Sequence, residues 1–236
     1  MSLRDYLFYE EPGIRLYCGD ALEILPELRA RCTSYCIEEC DGRCDSPYVV
    51  VTDPPYGIAY QALRAGTDAL QGDTSSEAQR VLIGALRRLR TAVAHFVFCD
   101  WRSLCNVLYA FRLAEVEPKA AIVWDKGSGV QNLDRYAKSH ELILYAGPFG
   151  GEPTVGRDVW RFARDFSIAH PTPKPVPLIR QCIETSGGEL VIDPFAGSGS
   201  TLQAAKELGR RAIGIEIEPK YCEIAVKRLR QEVLPL

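Results

Sequence analysis

Residues 189–216 constrain the fold more than any other stretch. Glu189-Leu190-Val191-Ile192-Asp193 reads as a buried strand, Pro194-Phe195-Ala196-Gly197-Ser198-Gly199 as a tight turn, and Ser200 to Leu208 as a helix that Gly209 terminates. Arg211-Ala212-Ile213-Gly214-Ile215-Glu216 is the following strand, and it finishes in an acid. Strand, glycine turn, helix, strand and acid is the layout of one half of a nucleoside-binding α/β fold. That half needs a third strand, and after Glu216 the sequence holds only one more helix, Pro219 to Gln231. Ile14 to Asp20 can supply the strand from the other terminus, which predicts a circularly permuted arrangement.

The turn also limits the ligand. Thr201 and Leu202 follow Gly199 where a dinucleotide fingerprint would bring a third glycine. This favours a ligand without a pyrophosphate and disfavours a nicotinamide-dependent oxidoreductase. Glu216 lies 17 residues beyond Gly199, where a carboxylate can accept bonds from ribose hydroxyls. A nucleoside whose remaining part is an amino acid fits, with its ammonium near Asp193 and its carboxylate near the turn's amides.

A second constraint is Thr52-Asp53-Pro54-Pro55-Tyr56-Gly57, directly after the apolar run Tyr48-Val49-Val50-Val51. The run reads as a buried strand, and two prolines after it forbid both further ladder pairing and a helix. The chain leaves the strand extended, holding a carboxylate, backbone carbonyls and an aromatic ring at a sheet edge, where α/β proteins place ligands. This cluster suits a flat ring bearing an amino group.

Between these stretches, strands and helices alternate. Ala21 to Leu28 reads as a short helix, Val81 to Leu89 and Trp101 to Phe111 as two more, and His95 to Asp100, Ala120 to Trp124 and Glu141 to Tyr145 as strands. The pattern predicts an α/β domain with a mostly parallel sheet and helices on both faces. Residues 61–78 lack periodicity and read as a mobile loop beside the proposed site. Residues 147–177 are rich in Gly, Pro and Arg and read as largely irregular.

Charge is unevenly spread behind a net value of −3. Residues 1–79 carry a net −8, residues 80–180 a net +6 and residues 181–236 a net −1. The basic middle third can meet phosphates, or can be a solvated face. No apolar run approaches the ~20 residues of a membrane span, and the first residues lack a signal peptide's apolar centre, so a cytoplasmic protein is expected. Cys32, Cys36, Cys40 and Cys44 recur every fourth residue. They read as reduced thiols or a redox-sensitive loop, with a four-thiolate metal site as the alternative; the usual zinc spacing, with a pair two residues apart, is absent.

Thr52-Asp53-Pro54-Pro55-Tyr56-Gly57, Asp193-Pro194-Phe195-Ala196-Gly197-Ser198-Gly199-Ser200-Thr201 and His170-Pro171-Thr172-Pro173-Lys174-Pro175 together resemble the amino-group DNA methyltransferases. Gly19-Asp20-Ala21-Leu22-Glu23 also matches the segment before that family's catalytic strand, and the motif order resembles its permuted beta group. The resemblance runs from about Ile14 to Leu229 and implies a single Rossmann-like S-adenosylmethionine-dependent methyltransferase domain over 1–236. It implies S-adenosyl-L-methionine as methyl donor, double-stranded DNA as partner, and an exocyclic amino nitrogen of a flipped-out base as acceptor. Adenine N6 is favoured because Asp, not Ser, opens the tetrapeptide; cytosine N4 is the alternative. A restriction–modification role without membrane association follows, with a homodimer as the assembly to test.

Carried over residue by residue, the resemblance makes Asp53, Pro54, Pro55 and Tyr56 catalytic. Around the donor it places Asp193, Pro194, Phe195, Ala196, Gly197, Ser198, Gly199 and Thr201, with Glu216, Asp20, Ala21 and Lys174 completing the pocket; no metal is required. Asp53 and the Pro54 carbonyl would accept the amino hydrogens, and Tyr56 would stack on the base, a contact worth ~1–3 kcal/mol. Two departures are evident. A Cys-rich insertion at about 30–46 separates the first helix from the catalytic strand, and the target-recognition region at about 125–170 is short. A non-catalytic nucleic-acid binder on the same scaffold is the competing reading from another class.

Overall fold

The computed structural model describes residues 2–30, 47–55, 75–127, 138–147, 157–164 and 173–231. The strands are β1 Leu7–Glu11, β2 Ile14–Cys18, β3 Tyr48–Thr52, β4 Ala94–Cys99, β5 Ala120–Asp125, β6 His140–Ala146, β7 Val159–Arg161, β8 Leu190–Asp193 and β9 Arg211–Glu216. The helices are α1 Leu3–Tyr6, α2 Ala21–Ala30, α3 Ser75–Arg88, α4 Leu104–Leu113, α5 Val176–Ser186, α6 Ser200–Glu207 and α7 Pro219–Leu229. The strands form one sheet in the order β1-β2-β9-β8-β3-β4-β6-β5-β7.

Alternation along the central strands explains the layers. Val49 and Val51 of β3 join Val191 of β8 and Ala212 of β9 on one face, against α5, α6 and α7. Tyr48 and Val50 point the other way with Leu190, Ile192, Ile213 and Ile215, against α2 and Ala85 of α3. All residues of β3, β4 and β8 are buried, as expected of strands covered on both faces. The helices therefore lie on both sides of the sheet, as the alternating pattern predicts.

The N-terminal strand completes the C-terminal half. β2 runs parallel to β9 over Ile14 to Cys18, and β9 runs parallel to β8, which runs parallel to β3. The chain therefore steps from β8 outward to β9 in one direction and from β3 outward to β4 in the other, so the order reverses between β8 and β3. Open α/β sheets bind ligands at the carboxyl ends of strands at such a reversal.

Several local expectations shift. β6 inserts antiparallel between β4 and β5, and β1 is antiparallel to β2, so five of the eight pairings are parallel. Residues 75–78, expected in a loop, belong to α3, and 61–74 lie outside the described residues. The helix expected from Trp101 begins at Leu104, because Asp100 accepts the Arg102 amide and Ser103 closes back on the Asp100 backbone, which spends three residues in a turn. Part of the stretch 147–177 is regular: β7 pairs with β5, and α5 starts at Val176, its proline at position 177 being tolerated in the first turn. The cysteines at 32, 36, 40 and 44 lie outside the described residues, as do Tyr56 and His170.

Candidate active site at the reversal of the sheet

Four parallel strands deliver acidic residues to one edge. Asp193 is the last residue of β8, Glu216 the last of β9, Asp53 follows β3, and Asp20 follows β2 by two residues. β3 and β8 are joined at this edge by side chains as well as by the ladder, since the Thr52 hydroxyl donates to Asp193 Oδ1 at 2.7 Å. The Phe195 amide donates to the same oxygen at 3.0 Å, and the Thr201 hydroxyl bonds to the carboxylate too. Asp193 thus ties β3 to the first turn of α6.

The glycine turn is shaped by packing. Gly199 has φ 79°, and a Cβ there would lie 2.8 Å from the Ala225 Cβ of α7, so glycine meets both the left-handed backbone and the close helix approach. Ala196 is buried and its amide bonds to the Ile215 carbonyl at 2.8 Å. Buried Arg228 of α7 donates to the Ser200 hydroxyl and reaches the Ser198 carbonyl at 3.3 Å, bracing the turn from behind. Pro194 is buried and Phe195 half-buried between the two strand ends.

Glu216 closes the other side. One of its oxygens accepts the Gly197 amide at 2.8 Å and the other the Glu218 amide at 2.8 Å, so the turn amide expected to meet a ligand carboxylate is engaged by a protein carboxylate. Asp20 caps α2, its Oδ1 accepting the Leu22 amide at 2.7 Å, and buried Ala21 opens that helix. Gly19 bonds to the Glu216 carbonyl at 2.9 Å, which brings the β2 and β9 ends together.

Electrostatically this edge is poised for a cation. Burial pushes the Asp193 carboxyl up to about 6, against the hydrogen bonds of Thr201, Thr52 and the Phe195 amide, and the Asp53 charge adds to the rise. Burial also raises Glu216, against two backbone amides, with Asp193 contributing. Buried acids whose charged form is disfavoured gain most when a positive ligand arrives.

Lys174 stands beside Asp53. It is 8% exposed, donates to Asp53 Oδ2, and has Glu141 Oε2 at 3.4 Å. Pro54 is buried and Pro55 half-buried behind Asp53. Cys99 of β4 offers no nucleophile nearby: burial pushes its thiol up to about 12, and Asp53, Asp100 and Glu141 add to the rise. Among the described residues, no cluster of His, Cys, Asp and Glu could hold a metal ion, and no helix is long and apolar enough to cross a membrane.

Glu141, Lys126, whose ammonium donates to Glu141 Oε1 at 2.5 Å, and Arg228 are part of this constellation and lay in no motif. Glu141 could have been singled out as a charge opening an otherwise apolar strand run, and Arg228 as a cation on the closing helix beside Ala225 and Leu229. Thr52 stood in the motif, but nothing in it signalled the bond of its hydroxyl to Asp193.

The half-fold and the reversal define an open, mostly parallel α/β sheet with an acidic edge. A family model described as DNA methylase matches residues 150–227. The type II methyltransferase M.ScaI of Streptomyces caespitosus is 36% identical over 97% of this chain and 85% of its own length. By these matches the chain belongs to the amino-group (N6/N4) DNA methylase family. It spans less than two thirds of the length of three further type II methyltransferases that it matches. In fold it is similar to M1.HpyAVI, solved as a complex with SAM (TM-score 0.66, 23% identity, 92% of this chain and 100% of that one). It is also similar to the PvuII DNA methyltransferase, described as cytosine-N4-specific (TM-score 0.69, 16% identity, 94% of this chain and 88% of that one).

Proposed function

We propose that this protein transfers a methyl group from S-adenosyl-L-methionine to the N6 amino group of adenine in double-stranded DNA. The observation that carries the reading is the placement of Asp53 at the sheet reversal, on a strand tied through Thr52 to Asp193 at the head of the glycine turn. The donor site and the acceptor site share one edge.

The residues present fit the donor. It carries a sulfonium, an ammonium and a ribose, and the edge supplies buried Asp193, whose charge burial disfavours until a cation comes near, and buried Glu216, whose oxygens can accept hydroxyl hydrogens. When bound, S-adenosyl-L-methionine supplies a methyl group already activated on sulfur. Asp193 would orient the cationic part, and Glu216 and Asp20 the nucleoside part.

On the acceptor side, the adenine amino lone pair is delocalised into the ring and is a poor nucleophile. Asp53 and the Pro54 carbonyl would accept its two hydrogens and draw the nitrogen toward a tetrahedral geometry. The base must leave the duplex to reach them, and Tyr56 would stack on it once flipped. Basic residues of the middle third would meet the backbone phosphates, and the short stretch at about 125–170 would read the target sequence.

Cytosine N4 is the second reading, supported by the fold shared with the cytosine-N4-specific PvuII enzyme. Sequencing DNA from cells expressing the protein, by a method that reads modified bases, separates the two. N6-methyladenine in a fixed context is expected; N4-methylcytosine would transfer the assignment to the second reading, and unmodified DNA would count against both.

A further inference from the structure

A row of alternating charges starts at Asp53. Lys174 bonds to Asp53 and approaches Glu141 Oε2 at 3.4 Å, while Glu141 Oε1 accepts from Lys126 Nζ at 2.5 Å. The four groups come from four places: Asp53 after β3, Lys174 before α5, Glu141 in β6 and Lys126 after β5. Both lysines are buried, and each ammonium lies over an aromatic ring, Lys174 over Phe98 at 5.3 Å and Lys126 over Trp124 at 4.9 Å. Burying two ammonium groups is costly unless carboxylates face them, and here the row as a whole is neutral.

The row does more than offset burial. Lys174 bonds to the Asp53 carboxylate, yet its ammonium is shared with Glu141, and Glu141 is in turn shared with Lys126. A lysine bound by Asp53 alone would hold that carboxylate harder and compete with an incoming amino group for its lone pairs. A lysine with no second anchor would also follow Asp53 if it moved. Glu141 sets both the position of Lys174 and the share of its charge that Asp53 receives.

We propose that Glu141 is a positioning residue, acting through Lys174 to hold the Asp53 carboxylate in the geometry that receives the acceptor amino group, with Lys126 opposing it. This rests on the methyl-transfer reading for its catalytic consequence, and on geometry alone for the coupling. Burial works against the Lys174 charge, but Asp53 and Glu141 outweigh it and hold the ammonium above the ordinary lysine range. Among the described residues, Arg164 opposes the charge on Lys126, Asp193 faces the Asp53 charge, and the Cys99 thiol faces Asp53 and Glu141. Removing Glu141 therefore lowers the pH at which Lys174 titrates, and removing Lys126 raises it.

The test uses the whole protein with 13Cε-labelled lysine, the Lys174 signal being assigned by its loss in Lys174→Met. Glu141→Gln is expected to shift the Lys174 titration to lower pH and Lys126→Gln to higher pH. In Glu141→Gln, kcat for methyl transfer should fall by about tenfold or more while the dissociation constant of S-adenosyl-L-methionine stays within about twofold. A Lys174 titration unchanged in both variants overturns the coupling whether or not the protein transfers methyl groups. A shifted titration with unaltered kcat, or equal losses of donor binding and kcat, overturns the positioning role. Failure of the unmodified protein to transfer any methyl group counts against the methyl-transfer reading, while the titration still decides the coupling.

Discussion

Thr52 and Asp193, 141 residues apart in sequence, share a 2.7 Å hydrogen bond across β3 and β8 at the point where the strand order reverses. This bond joins the last residue of the strand that presents Asp53 to the last residue of the strand that starts the glycine turn. Asp53 and the glycine turn are therefore held relative to each other by this bond together with the β3–β8 ladder.

Thr52→Val keeps the shape and removes the donor. Asp193 would lose one of its hydrogen bonds while still buried, which costs about 1–3 kcal/mol of stability. Affinity for S-adenosyl-L-methionine should fall with it, read by calorimetry of the folded variant, and Thr52→Ser should restore most of the loss.

Asp193→Asn tests the electrostatics. In the folded chain the Asp193 carboxyl titrates at about 6, above the ordinary 3.8, so its contribution to stability is fully present below that lower value and is lost as pH rises through about 6. Asparagine does not titrate. The stability of the variant relative to the parent should grow between pH 4 and pH 7, by up to roughly 3 kcal/mol, in denaturant titrations without ligand. Donor binding should weaken in the same variant, because the charge that meets the cation is gone.

Gly199→Ala places a methyl group 2.8 Å from the Ala225 Cβ at a left-handed φ of 79°. Strain and overpacking together should cost about 2–4 kcal/mol, seen as a lower urea midpoint with an unchanged slope. A variant as stable as the parent would show that α6 and α7 are free to separate.

Much of this site was legible because it depends on backbone chemistry. Two prolines must end β3, and a glycine pair must turn the chain between β8 and α6, so Asp53 and Asp193 could be placed at strand ends from local sequence. The parallel pairing of β2 with β9 followed from a half-fold lacking a strand. The Asp53, Lys174, Glu141 and Lys126 row was not legible, because its members are brought together by β6 entering antiparallel between β4 and β5. No local pattern specifies that insertion: an apolar run of β6's length fits either direction. The short β7 and the start of α5 were masked by the Gly and Pro content around them, where pairing with β5 and a tolerated first-turn proline decided the outcome.

Asp53 as an acceptor for the hydrogens of a base amino group is tested most directly by incubation with methyl-labelled S-adenosyl-L-methionine and duplex DNA. After digestion to nucleosides, label is predicted in N6-methyladenine with the parent protein. With Asp53→Ala it should drop by at least about a thousandfold while donor binding is retained. Donor binding without label in DNA, or label undiminished in Asp53→Ala, would contradict that role of Asp53.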